Sequence, residues 1–339
     1  MNTRQFSAAD GTRLCADVYF AKGFAKGFAN GVANGEDGAS GADGPAPARG
    51  GSAADPTPEP ATGAPAGSGL RGAAGSRGTV VIVHGYCEHR GRYRHVAEHL
   101  NRSGYDVLVG DLRGHGGSEG ERGFVWRFSD YSDDVAAFLR EAAQVFADKN
   151  KDGNKEGGAE PAQRPILLGH SMGGLVALQF ALANPKALRA LVLSSPFLGL
   201  KLRVPGWKRT MAQLASLLRP KLRLPNELPP SGLSHDEAVC RAYATDPLVT
   251  HDATARWFTE TLSAQADTLE RAGQVKVPTL MLHAGDDHIV DAEVSKAVFS
   301  RIGAADKSMT FYPGLYHEIF NELEKDRVLG DLTTWLASH

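Results

Sequence analysis

The run Pro165-Ile-Leu-Leu-Gly-His-Ser-Met-Gly-Gly-Leu-Val-Ala-Leu-Gln-Phe-Ala-Leu-Ala183 joins an apolar strand pattern to a helical pattern. At the junction, Gly169-His-Ser-Met-Gly173 matches G-x-S-x-G, in which a sharp strand-to-helix turn exposes a serine oxygen. The two glycines let the strand and the helix approach each other closely. The stretch therefore predicts Ser171 as a nucleophile that lies between a buried strand and a helix.

Strand and helix patterns alternate on both sides of this turn. Most of the strand patterns are continuously apolar, which is typical of strands covered on both faces. After a hairpin over residues 4–20, the predicted strands are Thr79–His84, Tyr105–Gly110, Pro165–His170, Leu188–Ser195, Pro278–Ala284 and Ser308–Tyr312. The predicted helices are Tyr93–Arg102, Tyr131–Phe146, Met172–Ala183, Ala292–Arg301 and Lys325–Leu336. This order predicts a doubly wound α/β sheet.

Three stretches interrupt the alternation. Residues 21–78 are more than half Gly and Ala, which predicts a flexible insertion, and Lys149–Gln163 predicts a shorter solvated loop. Residues 197–256 are Pro-rich and partly helical with no obvious strand, which predicts a helical cap. The expected domains are a core formed by residues 1–20 and 79–196, an insertion at 21–78, a cap at 197–256, and the rest of the core at 257–339.

Composition excludes several classes of protein. The formal net charge of −2 over 339 residues lacks the basic character of a nucleic-acid-binding protein. The N-terminus has no signal-peptide pattern, and no stretch approaches the roughly 18 apolar residues of a spanning helix. Three cysteines at wide spacing favour a reducing compartment. We therefore expect a soluble cytoplasmic protein.

A serine nucleophile needs a base and an acid, which follow it in the chain order Ser, acid, His. His317 is the one histidine between the last predicted strand and the final helix. Three aspartates follow the strand before it, namely Asp286, Asp287 and Asp291. Periodicity does not choose among them, because turns and helix caps also use aspartate.

The strand that ends at His84-Gly85-Tyr86 stands where a second oxyanion donor belongs. The backbone N–H groups of Tyr86 and Met172 would then point at the oxyanion that forms when Ser171 attacks an acyl carbon. Such a site performs acyl transfer with no metal and no cofactor.

Two other patterns compete with this interpretation. Gly116-Gly-Ser-Glu-Gly120 also matches G-x-S-x-G, but no helix pattern follows Ser118, so we interpret it as a loop residue. His95-Val-Ala-Glu-His99 matches the zinc signature H-x-x-E-H, with His84, Cys87 and His89 close by in sequence. No third ligand is predicted beside them, and a zinc site would leave the glycine-rich turn unexplained. We therefore interpret the pattern as an amphipathic surface helix.

The front of the predicted cap is basic and apolar. Residues 197–226 contain seven Lys or Arg and no acidic residue. On a helix, Trp207, Met211, Leu214 and Leu218 would share one face, from which Lys208 and Arg209 turn away. Such a helix suits either peripheral contact with an anionic membrane surface or packing on the core behind a basic rim.

Several motifs, taken in order, resemble the bacterial monoacylglycerol lipase family, which has the α/β-hydrolase fold and belongs to the serine aminopeptidase and lysophospholipase-like superfamily. The resemblance covers nearly the whole chain except residues 21–78 and 149–163. It rests on His84–Tyr93, Gly110–Arg122, Gly169–Gly174, Tyr243–Leu248, Gly285–His288 and Tyr312–Glu318.

The resemblance implies a mostly parallel eight-stranded sheet flanked by helices, the cap as a lid, and hydrolysis of monoacylglycerol to fatty acid and glycerol. It places the acid on Asp287 and implies that Glu88, Arg92 and Tyr243 line the polar end that receives glycerol. A lysophospholipase or a general carboxylesterase would use the same catalytic residues. A serine aminopeptidase and a non-catalytic binding scaffold are the remaining alternatives.

Overall fold

The structure, a computed structural model, describes residues 1–21, 76–152, 164–201, 205–226 and 228–339. Nearly all of the expected insertion at 21–78 lies outside the described residues. Ten strands occur in the described part: β1 (Asn2–Ser7), β2 (Arg13–Tyr19), β3 (Thr79–Val83), β4 (Asp106–Asp111), β5 (Ile166–His170), β6 (Ala190–Ser194), β7 (Arg223–Pro225), β8 (Asp252–Thr254), β9 (Thr279–Ala284) and β10 (Lys307–Tyr312).

Eight of these strands form one sheet in the order β1-β2-β4-β3-β5-β6-β9-β10. The six strands from β4 to β10 in this order are parallel, whereas β1 and β2 form the antiparallel edge. The predicted hairpin and the mostly parallel eight-stranded sheet are therefore confirmed. Parallel neighbours bring the carboxyl ends of β3, β5, β9 and β10 to one edge, where the predicted site residues follow.

Helices cover both faces of the sheet. The described helices are α1 (Arg94–Arg102), α2 (Ser129–Asp152), α3 (Met172–Ala183), α4 (Gly206–Leu218), α5 (Glu237–Thr245), α6 (Ala255–Arg271), α7 (Ala292–Arg301) and α8 (Lys325–Leu336). In β3, Val80 and Ile82 pack into the core with α1 and α8, while Val81 and Val83 pack on the other face with α2 and α3. Burial on both faces explains why this strand has no polar alternation.

The cap segment contains two strands as well as helices. β7 and β8 pair antiparallel, so the expectation that residues 197–256 hold no strand was wrong. Each has only three residues and β7 is fully exposed, so neither carries a period-2 pattern that a sequence could reveal. The cap also includes α4 and α5, and its predicted end at residue 256 falls within the first turn of α6.

The predicted loop at Lys149–Gln163 also needs a correction, because α2 extends to Asp152. Residues 153–163 lie outside the described part of the chain. None of the helices in the described ranges is long and apolar enough to cross a membrane.

The two sides of the expected insertion meet at one residue at the start of β4. The backbone N–H of Ala21 donates to Oδ1 of Asp106 over 2.7 Å. The backbone N–H of Asp106 donates to the carbonyl of Gly78 over 3.0 Å. Ala21 and Gly78, which stand on either side of the undescribed stretch, therefore both hydrogen-bond to Asp106.

Candidate active site

Ser171 occupies the turn between β5 and α3, in a left-handed conformation with φ 53° and ψ −119°. The flanking glycines are required by contact distances. A Cβ on Gly169 would lie 2.2 Å from the carbonyl oxygen of Gly173, and one on Gly173 would lie 2.3 Å from that of Val83. The predicted strand-to-helix turn thus forms because backbone packs directly on backbone at both glycines.

Three predicted residues come together in one hydrogen-bonded chain. His317 accepts the Ser171 hydroxyl at Nε2 over 2.9 Å, and its Nδ1–H donates to Oδ2 of Asp287 over 2.7 Å. Oδ1 of Asp287 accepts the backbone N–H groups of Ile289 and Val290 at 2.8 and 2.9 Å. The carboxylate therefore holds the proton on Nδ1, which leaves Nε2 free to act as a base.

The other two candidate aspartates do not reach the histidine. Asp286 is exposed at the surface. Asp291 caps the N-terminus of α7, where its Oδ1 accepts the backbone N–H of Glu293. Of the three, only the Asp287 carboxylate is hydrogen-bonded to His317.

Electrostatics favour an ion pair between the acid and the protonated base. Burial alone would raise the pKa of Asp287, but the charge and hydrogen bond of His317, together with the two backbone amides, lower it to about 2. Burial works against a charged His317, yet Asp287 outweighs it and raises the pKa of the imidazole above its usual 6.5. These surroundings therefore stabilise the protonated form of His317.

The predicted oxyanion turn lies against the nucleophile, since a Cβ on Gly85 would be 3.2 Å from that of Ser171. His84 accepts the N–H of Leu112 at Nε2, so its Nδ1–H donates to the Gly85 carbonyl over 2.7 Å. Because the peptide is planar and trans, holding that carbonyl also fixes the direction of the Tyr86 N–H. Burial lowers the pKa of His84, so the imidazole stays neutral in this role.

Trp257, at the start of α6, contacts both predicted oxyanion residues, and nothing in the sequence singled it out. Its ring stacks on Tyr86 with centroids 3.5 Å apart, and its indole N–H donates to Sδ of Met172 over 3.3 Å. The Tyr86 hydroxyl is also held, because it donates to the carbonyls of Gly123 and Asp252. The side chains on either side of the oxyanion position are therefore fixed by packing.

Glu88, Arg92 and Tyr243, the residues that the resemblance places at the polar end, lie together behind the oxyanion turn. Glu88 accepts the backbone N–H of Gly85 over 2.6 Å and pairs with Arg92 over 2.7 Å. The Arg92 guanidinium lies 4.9 Å from the Tyr243 ring centroid and forms a bidentate salt bridge with Glu318. Glu318 was not among the predicted site residues.

The cap segment contacts both loops of the site. The N–H of Thr250 donates to the carbonyl of Cys87 over 3.0 Å, next to the oxyanion turn. On the other side, the N–H of Glu318 donates to the carbonyl of Leu233 over 2.9 Å. These backbone bonds hold the cap segment against the nucleophile's surroundings.

Residues of the two competing motifs form hydrogen bonds and ion pairs away from Ser171. The Ser118 hydroxyl is buried, donates to the carbonyl of Asp111 over 2.6 Å and accepts the N–H of Cys15. His95 bonds the carbonyl of Phe320, while Glu98 pairs with Arg94 on the surface of α1. Within the described ranges, no three His, Cys, Asp or Glu side chains are grouped as metal ligands.

Comparison with known proteins places this geometry in a family. The family described as serine aminopeptidase, S33, matches residues 74–324, which is most of the chain. The chain belongs to the serine aminopeptidase S33 family.

Several proteins similar to this chain are named as lipid hydrolases. A monoacylglycerol lipase of Mycolicibacterium smegmatis is 33% identical over 264 residues, covering 78% of this chain and 89% of its own length. The phospholipase YtpA of Bacillus subtilis is 33% identical over 253 residues, covering 74% and 91%. The crystal structure of Paleococcus ferrophilus monoacylglycerol lipase has 30% sequence identity and a TM-score of 0.69, covering 78% of this chain and 96% of that one.

The fold and the relatives agree. The sheet order and flanking helices are those of the α/β-hydrolase fold, as the resemblance implied. With a hydrogen-bonded Ser-His-Asp chain at the end of the sheet, this member of the S33 family is a carboxylic ester hydrolase.

Proposed function

We propose that this protein hydrolyses monoacylglycerol to fatty acid and glycerol through an acyl-enzyme on Ser171. The observation that carries the proposal is the hydrogen-bonded chain from Ser171 through His317 to Asp287, beside a turn whose peptide groups are held in place. The monoacylglycerol lipases among the relatives supply the substrate class.

The proposed steps use the hydrogen-bonded chain and the predicted oxyanion turn described above. His317 Nε2 takes the proton of Ser171 as Oγ bonds to the ester carbonyl carbon, and the oxyanion accepts the N–H groups of Tyr86 and Met172. His317 then gives the proton to the glycerol oxygen, the carbon–oxygen bond breaks, and glycerol leaves. Water then bonds to the acyl carbon as it gives a proton to Nε2 of His317. The bond between that carbon and Oγ breaks, Ser171 takes the proton back from His317, and the fatty acid leaves.

Phospholipid-derived esters are the second candidate substrate, because the Bacillus subtilis phospholipase is as similar to this chain as the Mycolicibacterium smegmatis lipase. An aminopeptidase needs carboxylates that hold a substrate ammonium. Near Ser171, the carboxylates of Glu88 and Glu318 are already bonded to Arg92. The geometry therefore favours an uncharged alcohol as the leaving group over an amine-bearing substrate.

The test is release of fatty acid from monoacylglycerols of increasing chain length, beside matched lysophospholipids and an aminoacyl amide. We expect turnover to be highest with monoacylglycerols and to disappear in Ser171→Ala. Preference for lysophospholipids would reassign the substrate while keeping the nucleophile. Failure of a fluorophosphonate probe to label Ser171 would leave a binding scaffold as the better interpretation.

We also propose that residues 197–256 form a cap and that α4 is its membrane-facing part. The protein would then be cytoplasmic and would contact anionic membranes peripherally. The helix turns its apolar residues outward: Trp207, Leu217 and Leu218 are 67%, 75% and 72% exposed. Packing covers only part of this face, since Met211 and Leu214 are 57% and 48% exposed. Exposed apolar area beside Lys208 and Arg209 matches a surface of anionic headgroups.

Vesicle sedimentation tests this contact. We expect wild type to bind vesicles containing anionic lipid more strongly than neutral ones, and Leu217→Ser with Leu218→Ser to weaken the binding. Leu323→Ser is the matched control, because Leu323 is 69% exposed but lies outside the cap. Equal binding by the cap variant and the control would contradict the proposed membrane face.

A further inference from the structure

We propose that Glu318 is a positioning residue, which pairs with Arg92 and so holds the loop of His317 against the oxyanion turn. This role of Glu318 rests on the proposed roles of Ser171 and His317 as nucleophile and base. It does not depend on which ester is the natural substrate.

The contacts form a continuous bridge between two parts of the site that are far apart in sequence. Arg92 donates from Nη1 to Oε1 of Glu318 over 2.6 Å and from Nη2 to Oε2 over 2.7 Å. The same Nη1 donates to Oε2 of Glu88 over 2.7 Å. Oε1 of Glu88 accepts the N–H of Gly85, whose carbonyl already faces His84. One guanidinium therefore links the residue after the base to the peptide before Tyr86.

The bridge is buried away from solvent. The side chains of Arg92, Glu88 and Glu318 are 10%, 4% and 4% exposed. The Tyr93 hydroxyl and the Asn321 amide complete the hydrogen bonding of the two carboxylates. A planar guanidinium that donates two parallel hydrogen bonds fixes orientation as well as distance.

The bridge also places charge beside the base. Two carboxylates and one guanidinium leave the cluster with one net negative charge, which favours the imidazolium form of His317. The other groups that face this ring are Asp287, the Ser171 hydroxyl and the ring of His170, whose centroid lies 4.9 Å away. Burial lowers the pKa of His170 to about 3, so that ring is neutral.

Direct binding of glycerol by Arg92 is the competing role, and the resemblance implies it. The two Arg92 nitrogens that point at the carboxylates are occupied by Glu88 and Glu318 in the structure. A positioning role and a glycerol-binding role predict different kinetics. Positioning changes the rate with every ester, whereas glycerol binding changes KM for glycerol esters alone.

The decisive variant is Glu318→Gln, measured on a monoacylglycerol, on p-nitrophenyl butyrate, which has no glycerol, and by the rate of fluorophosphonate labelling. We expect kcat/KM to fall roughly 10- to 100-fold on both esters, because the base and the oxyanion turn lose their fixed spacing. Labelling should slow in parallel. The acid limb of the pH profile should move to lower pH, since the variant removes the net negative charge near His317.

Two further variants keep the test interpretable. Glu98→Gln removes a matched glutamate–arginine pair on the surface of α1, and we expect no change in rate or pH profile. Arg92→Lys keeps the positive charge but loses the bidentate hydrogen bonds to Glu318. The rate should therefore fall while the acid limb of the pH profile stays at the same pH. A loss confined to KM for the glycerol ester, or a Glu318→Gln enzyme as active as Glu98→Gln, would overturn the proposal.

Discussion

The left-handed backbone of Ser171 is maintained at a cost, because a non-glycine residue in that region loses about 1–3 kcal/mol relative to an unstrained one. The surrounding structure compensates, since the Ser171 N–H donates to the carbonyl of Ser194 over 2.9 Å and its carbonyl accepts the N–H of Phe197 over 2.8 Å. This conformation places Oγ of Ser171 2.9 Å from Nε2 of His317.

The neighbouring aspartates allow a controlled test of the acid. We expect Asp287→Asn to lower kcat by about 10⁴-fold, because an amide does not hold the proton on Nδ1 of His317. Asp286→Asn should leave kcat unchanged, because Asp286 is exposed and does not contact His317. Steady-state kinetics on one ester compares both variants, and similar losses in the two would contradict the assignment.

The pH dependence follows from the shift of His317. Activity needs the neutral imidazole, so kcat/KM should fall as pH decreases through the raised pKa, placing the acid limb above the usual 6.5. A profile of kcat/KM from about pH 5 to about pH 9 measures the limb. A flat rate between about pH 8 and about pH 5 would remove His317 from the role of base.

The same shift affects stability with a defined sign. A group whose pKa is raised on folding stabilises the native state below its unfolded pKa, and that contribution is lost as pH rises through the folded value. For Asp287 the pH dependence has the opposite sign, because folding lowers its pKa to about 2. Its contribution to stability is complete above the usual pKa of 3.8 and is lost as pH falls through 2. The pair is therefore most stabilising between the usual pKa of the aspartate and that of the histidine.

At the scale of elements, the close approach of α3 to β3 can be tested with two glycines that both lie within helices. Gly173→Ala would bring a Cβ to 2.3 Å from the carbonyl oxygen of Val83. Because that oxygen belongs to the backbone of a buried strand, it cannot move aside as a side chain could. We therefore expect the free energy of unfolding to fall by about 2 kcal/mol. Gly330→Ala, in α8, meets nothing within 4 Å and should gain about 0.5–1 kcal/mol. Thermal unfolding of both variants gives the comparison, and equal melting temperatures would contradict it.

Sequence patterns predicted these elements where burial repeats regularly. The predicted bounds of α3, α7 and α8 agree with the structure, and at α7 the capping side chain of Asp291 marks the N-terminus. The pattern did not reveal β7 and β8, whose short exposed strands are set by tertiary contacts. For α2, polar residues up to Asp152 continue the helix although they resemble a loop in composition.

The residues of the candidate site also differ in whether the sequence could predict them. Ser171 and His317 follow from local context and chain order, whereas the choice of Asp287 needed the resemblance or the structure. Trp257 lies outside the motifs, and Glu318 ends one of them without a predicted role, because both roles depend on partners that only the fold brings near. Arg92 and Glu318 are 226 positions apart in the chain.

At the scale of the whole molecule, the meeting of both ends of the expected insertion at Asp106 predicts that it is dispensable. We expect that replacing residues 22–75 by a short Gly/Ser linker preserves the melting temperature and esterase activity. The linker has little distance to span, because residues 21 and 78 both contact Asp106. Thermal unfolding and kinetics beside the full chain test this, and loss of the folded core would show that the segment is structural.

The separation of the site residues along the chain has a consequence for folding kinetics. Ser171 and His317 are 146 positions apart, and strands from both halves of the sequence must pair before these side chains meet. Contacts of such long range form late, because the entropy of closing large loops is lost before the contacts repay it. A partly folded chain therefore has no assembled nucleophile, so the esterase activity regained after dilution from denaturant counts only the molecules that have completed folding.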